Sequence, residues 1–142
     1  MPDSSKYSIL FKNYSNLFRQ PPLLQDIDNT DPDSVRVKIT LYFNPCFYGN
    51  TQLRVREWYD SHDELRQYRY CWEVSTRPAG NISSWENEHD HGGLKTNPHH
   101  HHYVPGNRHP VQNNYSIHDL DHALSVIKDF IVSGNPYDGK EI

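Results

Sequence analysis

The nine residues Val35-Arg36-Val37-Lys38-Ile39-Thr40-Leu41-Tyr42-Phe43 decide the fold. Val35, Val37, Ile39, Leu41 and Phe43 fall on one face and Arg36, Lys38, Thr40 and Tyr42 on the other, the period of a strand with one buried side. Asn44-Pro45 ends the run, and Gly49-Asn50 signals a turn. A second strand follows over 51–60, with Leu53, Val55, Glu57 and Tyr59 on one face and Arg54, Arg56 and Trp58 on the other. After a turn at Ser61–Asp63, Tyr68, Tyr70, Trp72 and Val74 alternate with Arg69, Cys71, Glu73 and Ser75 over 67–76. Pro78-Ala79-Gly80-Asn81 then turns the chain into a short strand at 82–87. Successive hairpins of this kind make an antiparallel sheet.

Helices flank the strands. Tyr7, Leu10, Phe11, Tyr14, Leu17 and Phe18 are spaced for an amphipathic helix over 6–18 that stops before Pro21-Pro22. From Gln20 to Ser34 the chain reads as a polar connection. Ile117, Leu120, Leu124, Ile127 and Ile131 form the stripe of a last helix. Ser116 and Asp119 read as its N-terminal capping pair and Gly134 as its stop. The expectation is one α+β domain over 1–142: a meander of four to five antiparallel strands, with both helices packed on one face.

Composition narrows the class. The 142 residues are only 35 % hydrophobic but include ten Tyr and three Trp, so the core is built from few, large rings. Net charge is −4 with the ten histidines neutral, and protonating them all would reverse its sign. A bulk basic balance is absent, so polyanion binding has to come from a local patch. Cys46 and Cys71 make neither a CxxC motif nor a disulfide framework. No signal-like start and no apolar run of about 18 residues is present, which leads one to expect a cytoplasmic protein without membrane contact. Phosphate-loop, GxGxxG, HExxH and GxSxG patterns are missing.

Between the fourth strand and the last helix, 88–115 form a histidine-rich segment, expected to be a long functional loop. Four histidines, at 99–102, are internal to the chain. Extended backbone after Pro98 would turn His100 and His102 one way and His99 and His101 the other. His89 and His91 make a further pair. Three readings stay open. Imidazoles could hold zinc or nickel, with Glu57, Glu86, Glu88 or Asp90 completing the shell. They could cleave a phosphodiester without metal, one taking a proton from a 2′-hydroxyl and another protonating the leaving oxygen. Or they only hydrogen-bond the backbone of a solvated segment. Arg36, Lys38, Arg54, Arg56 and Arg69, interleaved with Tyr42 and Trp58, could line a face suited to RNA, or be merely its solvent side.

The run Leu53-Arg54-Val55-Arg56-Glu57-Trp58, then Tyr68-Arg69-Tyr70, Trp85-Glu86-Asn87 and Pro98-His99-His100-His101-His102, resembles the TumE-like family of toxin–antitoxin toxins. Members carry an Arg-(Tyr/Trp)-Asp-Asn segment and, ten residues later, Pro-His-His-x-His; here 88–97 are those ten. Tyr68, Tyr70, Asn87, His91, Pro98, His99, His100 and His102 match. Ser84 stands where the pattern has arginine, Glu86 is a longer acid, and Asn97 replaces an aromatic. The resemblance implies a toxin neutralised by a helix–turn–helix antitoxin, with RNA cleavage suggested by analogy.

The resulting assignment makes His91, His100 and His102 the catalytic group, supported by Arg69 and Tyr70, with no cofactor required. Arg54, Arg56, Tyr68, Trp85 and Asn87 would contact RNA. In the metal reading His89, His91, His99, His100, His102 and Glu57 supply ligands. The alternatives are a non-enzymatic metal- or RNA-binding protein organised by the same segment, and a segment serving only homodimer contacts.

Overall fold

In the computed structural model, residues 4–24, 27–76 and 80–142 are described. The sheet has seven strands, not four to five. They are β1 (Ile27–Asp28), β2 (Val35–Tyr42), β3 (Thr51–Tyr59), β4 (Leu65–Val74), β5 (Asn81–Glu86), β6 (His100–Val104) and β7 (Asn107–Asn113). All neighbours are antiparallel and in chain order, a pure meander. Of the turn expected at 78–81, Pro78 and Ala79 lie outside the described residues.

The extra strands come from segments read as connections. β1 is two residues long, too short to show alternation. β6 and β7 arise inside the histidine segment, because Pro105-Gly106, with Gly106 at φ 80°, makes a hairpin turn. The functional segment is therefore an irregular stretch at 88–99 followed by a two-stranded extension of the sheet.

Two helices lie across one face. In α1 (Ser4–Asn13) Tyr7 and Phe11 are buried; in α2 (Leu120–Ser133) Leu120, Ala123, Leu124 and Ile127 are. Tyr7 reaches Glu57, Phe130 packs on Trp72 at 6.3 Å between ring centroids, and Tyr14 Oη, one residue past α1, donates to Asp121 of α2. The N-terminal helix is shorter than its apolar spacing suggests. Ser15 and Asn16, which compete for backbone hydrogen bonds, follow Tyr14 in a separate 3₁₀ turn at Ser15–Leu17. At α2 the cap is Asp119 itself, accepting from His122 N at 2.9 Å, while Asn114 Oδ1 accepts from Ile117 N. Gly134 stops the helix in the left-handed conformation, as expected.

Trp72, Trp85, Tyr70, Phe43, Leu41 and Leu53 fill the space beneath the helices. Among the described residues the opposite face carries no helix. Even so Cys71, Glu73, Ser84, Glu86, His100 and His102 are buried there, because arginine and histidine side chains and the 88–99 segment cover them.

Candidate functional site

Glu86 is the centre of that covered patch. Register places it directly opposite His100 on β6 and Arg69 on β4, with Ser84 opposite His102. One carboxylate oxygen, Oε1, faces His100 Nε2 at 3.1 Å and His102 Nε2 at 3.7 Å. The other, Oε2, faces Arg69 Nε at 3.1 Å and Arg108 at 3.6 Å. The Arg69 contact is an ion pair without hydrogen-bond alignment, so Glu86 Oε2 and Arg69 Nε are both buried with hydrogen-bonding capacity unused. Burial drives the Glu86 carboxyl up, but hydrogen bonds from His100 and His102 and the charge of Arg69 outweigh it and hold it far below the usual carboxylate range. It is a fixed negative charge.

Backbone carbonyls orient both imidazoles. His100 Nδ1 meets Pro98 O at 2.8 Å and His102 Nδ1 meets Arg108 O at 2.6 Å. A carbonyl only accepts, so each Nδ1 donates and each Nε2 is turned toward Glu86. His91 closes the group from the irregular segment, its ring centroid 4.1 Å from His100 and 6.3 Å from His102. Asn97 fixes that approach: its Oδ1 accepts from His91 N at 2.8 Å while its Nδ2 donates to Asp90 at 2.8 Å. Burial and then the charges of His100 and His102 lower the His91 pKa, favouring a neutral ring. Three imidazoles, two guanidiniums and one carboxylate thus converge, with His91 at the half-buried rim, His102 buried behind it and His100 fully enclosed.

The family model of Toxin TumE matches residues 13–134, most of the chain and all of this cluster. The chain belongs to the TumE family. No curated protein and no solved structure matches it. Where the TumE-like pattern has an arginine, this member has Ser84, and Arg108 from β7 lays its guanidinium against the Ser84 hydroxyl at 3.2 Å.

Of the residues singled out from the sequence, His91, His100, His102 and Arg69 are brought together. Tyr70 is not: it lies on the helix-covered face and donates to Glu57 at 2.5 Å. Glu57 is held there by Tyr7, Tyr59 and Tyr70, so it cannot share a ligand shell with His100. His99 also faces the core side, bonded to Tyr68 Oη at 2.8 Å and stacked on His118. Tyr68 and Trp85 are buried and closed to RNA, because odd–even alternation puts them under the helices. Asn87 braces the sheet, accepting from Tyr68 N and donating to Arg66 O. Arg54 is committed to Glu73, Arg56 is exposed on the open face, and His89 is exposed beside the cluster. His101 is a core residue, stacked on Trp85. The sequence reading missed Arg108 and named Glu86 only as one of four acids. Pro105-Gly106 between alternating residues was the signal, since a hairpin there pairs β6 with β5 and sets Glu86 against His100.

Proposed function

We propose that this TumE-family chain is a toxin that cleaves RNA by proton transfer between His91 and His102. The observation that carries this reading is a neutral-leaning imidazole facing a carboxylate-backed imidazole across 6.3 Å, with two guanidiniums at the same point. His91 takes the proton of a ribose 2′-hydroxyl; the 2′-oxygen attacks phosphorus as the P–O5′ bond breaks. His102 Nε2 gives its proton to the departing 5′-oxygen, leaving a 2′,3′-cyclic phosphate and a 5′-hydroxyl. Arg69 and Arg108 counter the charge that builds on the phosphoryl oxygens. Glu86 and the enclosed His100 are positioning residues. An antitoxin partner accompanies membership in a toxin family; a helix–turn–helix protein acting with it in the cytoplasm fits the reading, and no described helix is long and apolar enough to cross a membrane.

The test is purified protein with a single-stranded RNA, reading the rate and the cyclic phosphate. His91→Ala or His102→Ala should each cost about 10²–10⁴-fold and restore growth to cells expressing the protein. The acidic limb of the rate profile should lie below the ordinary histidine value of about 6.5, since the His91 pKa is lowered. RNA left intact by protein that still arrests growth overturns the proposal.

A second reading has its own observation. Both Nδ1 atoms are spent on backbone carbonyls, and the Nε2 atoms and a Glu86 oxygen lie within 4.8 Å of one another, the orientation of imidazoles that ligate zinc or nickel. Arg69 and Arg108 beside the same carboxylate oppose a cation. Stoichiometric metal in untagged, dialysed protein favours this reading.

A further inference from the structure

One line of register crosses the open face without a break. Lys38 is opposite Arg56, Arg56 opposite Arg69, Arg69 opposite Glu86, and Glu86 opposite His100. At about 4.8 Å per strand, Lys38 stands roughly 19 Å from the histidines. Like charges directly opposed on a sheet are destabilising, yet three cations stand in a row. Among the described residues Lys38 and Arg56 have no carboxylate partner and both are exposed. Arg36 flanks them over the Trp58 ring at 5.4 Å. Arg36, Lys38, Arg56, Trp58 and Gln67 line a depression of about 160 Å³, with Glu57 and Glu88 as its acidic lining residues. The Trp58 indole N–H is buried there and donates to no described residue. Chain-wide charge is negative, so this is a local feature and not a general basicity.

We infer that this row is the track of a single-stranded RNA that crosses the strands, its phosphates on Arg69, Arg56 and Lys38, with a stacking station at the Arg36–Trp58 pair. The inference rests on the RNA-cleavage reading for its scissile end and adds the substrate class, the path and a footprint of about four nucleotides, the short end for single-strand sites. An unpaired strand is favoured because the histidine cluster lies beneath covering side chains, where one backbone can enter and a duplex cannot. Arg54 is not part of the track, since Glu73 holds it.

The experiment uses 2′-O-methyl oligoribonucleotides of two to eight nucleotides, which lack the attacking hydroxyl, with binding read by fluorescence anisotropy across a salt series. Affinity should rise to about four nucleotides and then level. Lys38→Ala/Arg56→Ala should weaken binding at least tenfold and reduce the salt slope by about 1.4, two phosphates at roughly 0.7 each. A duplex of the same sequence should bind more weakly. An unchanged affinity and slope in the double variant, or tighter binding of the duplex, overturns the track. Binding that follows the row while unmodified RNA stays uncut retains the track and removes the cleavage reading. Cleavage that proceeds while the double variant binds normally does the reverse.

Discussion

A single step along β6 moves an imidazole from the site into the core. His102 faces Glu86, whereas His101 is sealed on the core side beneath Tyr137: Gln112 Nε2 donates to its Nδ1 at 3.0 Å, so Nε2 carries the proton toward Ser83 and Tyr137. Burial, with smaller contributions from His102 and His100, lowers its pKa to about 3. Unfolded, it would titrate near 6.5. Between those values the unfolded chain binds a proton that the folded chain refuses. The stability from neutral His101 is therefore complete above about pH 6.5 and lost as pH falls, at about 1.4 kcal/mol per pH unit. His91 and His99, also lowered, act in the same direction, and Glu86 adds to the loss below the ordinary carboxylate range. Denaturant melts at pH 7.5, 6 and 5 should show this decline, and His101→Gln should flatten it; an equal slope in that variant would exclude His101 as its source. The alternation of the four histidines was legible from the sequence. Their unequal burial was not, because it depends on which face the helices cover.

Elements with strong alternation or a capped apolar stripe were readable: β2, β3, β4 and β5 stand within two residues of their expected bounds, and α2 stops before Gly134 as expected but starts three residues after the Ser116 cap would place it. The β6–β7 hairpin escaped because its core-facing positions are His101 and Gln112, polar residues that break the hydrophobic signal. Its turn nonetheless controls the site, since Arg108 supplies both the carbonyl that holds His102 and the guanidinium beside Glu86. Gly106 and Gly49 offer a matched pair: φ is 80° and 74°, and an added Cβ meets nothing within 4 Å at either. Each alanine substitution should then cost about 1–2 kcal/mol through left-handed backbone alone. Gly106→Ala should also lower RNA cleavage, because it loosens the turn before Arg108. Gly49→Ala, between β2 and β3, should not. Melting curves and cleavage rates below both transitions check this, and equal activity losses in the two variants would count against the hairpin's role.

At the scale of the whole molecule the sheet separates two carboxylates that the sequence could not tell apart. Glu57 and Glu86 both sit in strands and both lie among aromatic and basic residues, but Glu57 faces the helices and Glu86 the open side. Glu57 is satisfied by tyrosine hydroxyls, and burial, with the Glu57 charge, raises the Tyr70 pKa well above its usual value, so that proton stays on oxygen. Glu86 is surrounded by groups that exchange or balance charge. Tyr70, matched by the family pattern and assigned to catalysis from it, therefore serves stability instead. Tyr70→Phe deletes the donor to Glu57 Oε2 and leaves a buried carboxylate oxygen short of a partner, a cost of about 1–3 kcal/mol. At about 3 °C per kcal/mol for a chain of this size, the melting temperature should fall by several degrees. RNA cleavage by the folded protein, measured well below the transition, should not change. Arg69→Ala, one residue away on the open face, should lower cleavage by at least tenfold when measured below its own transition. If Tyr70→Phe instead kept its stability and lost cleavage, the division of labour between the two faces would be wrong, because the helix-covered side would then hold reacting groups.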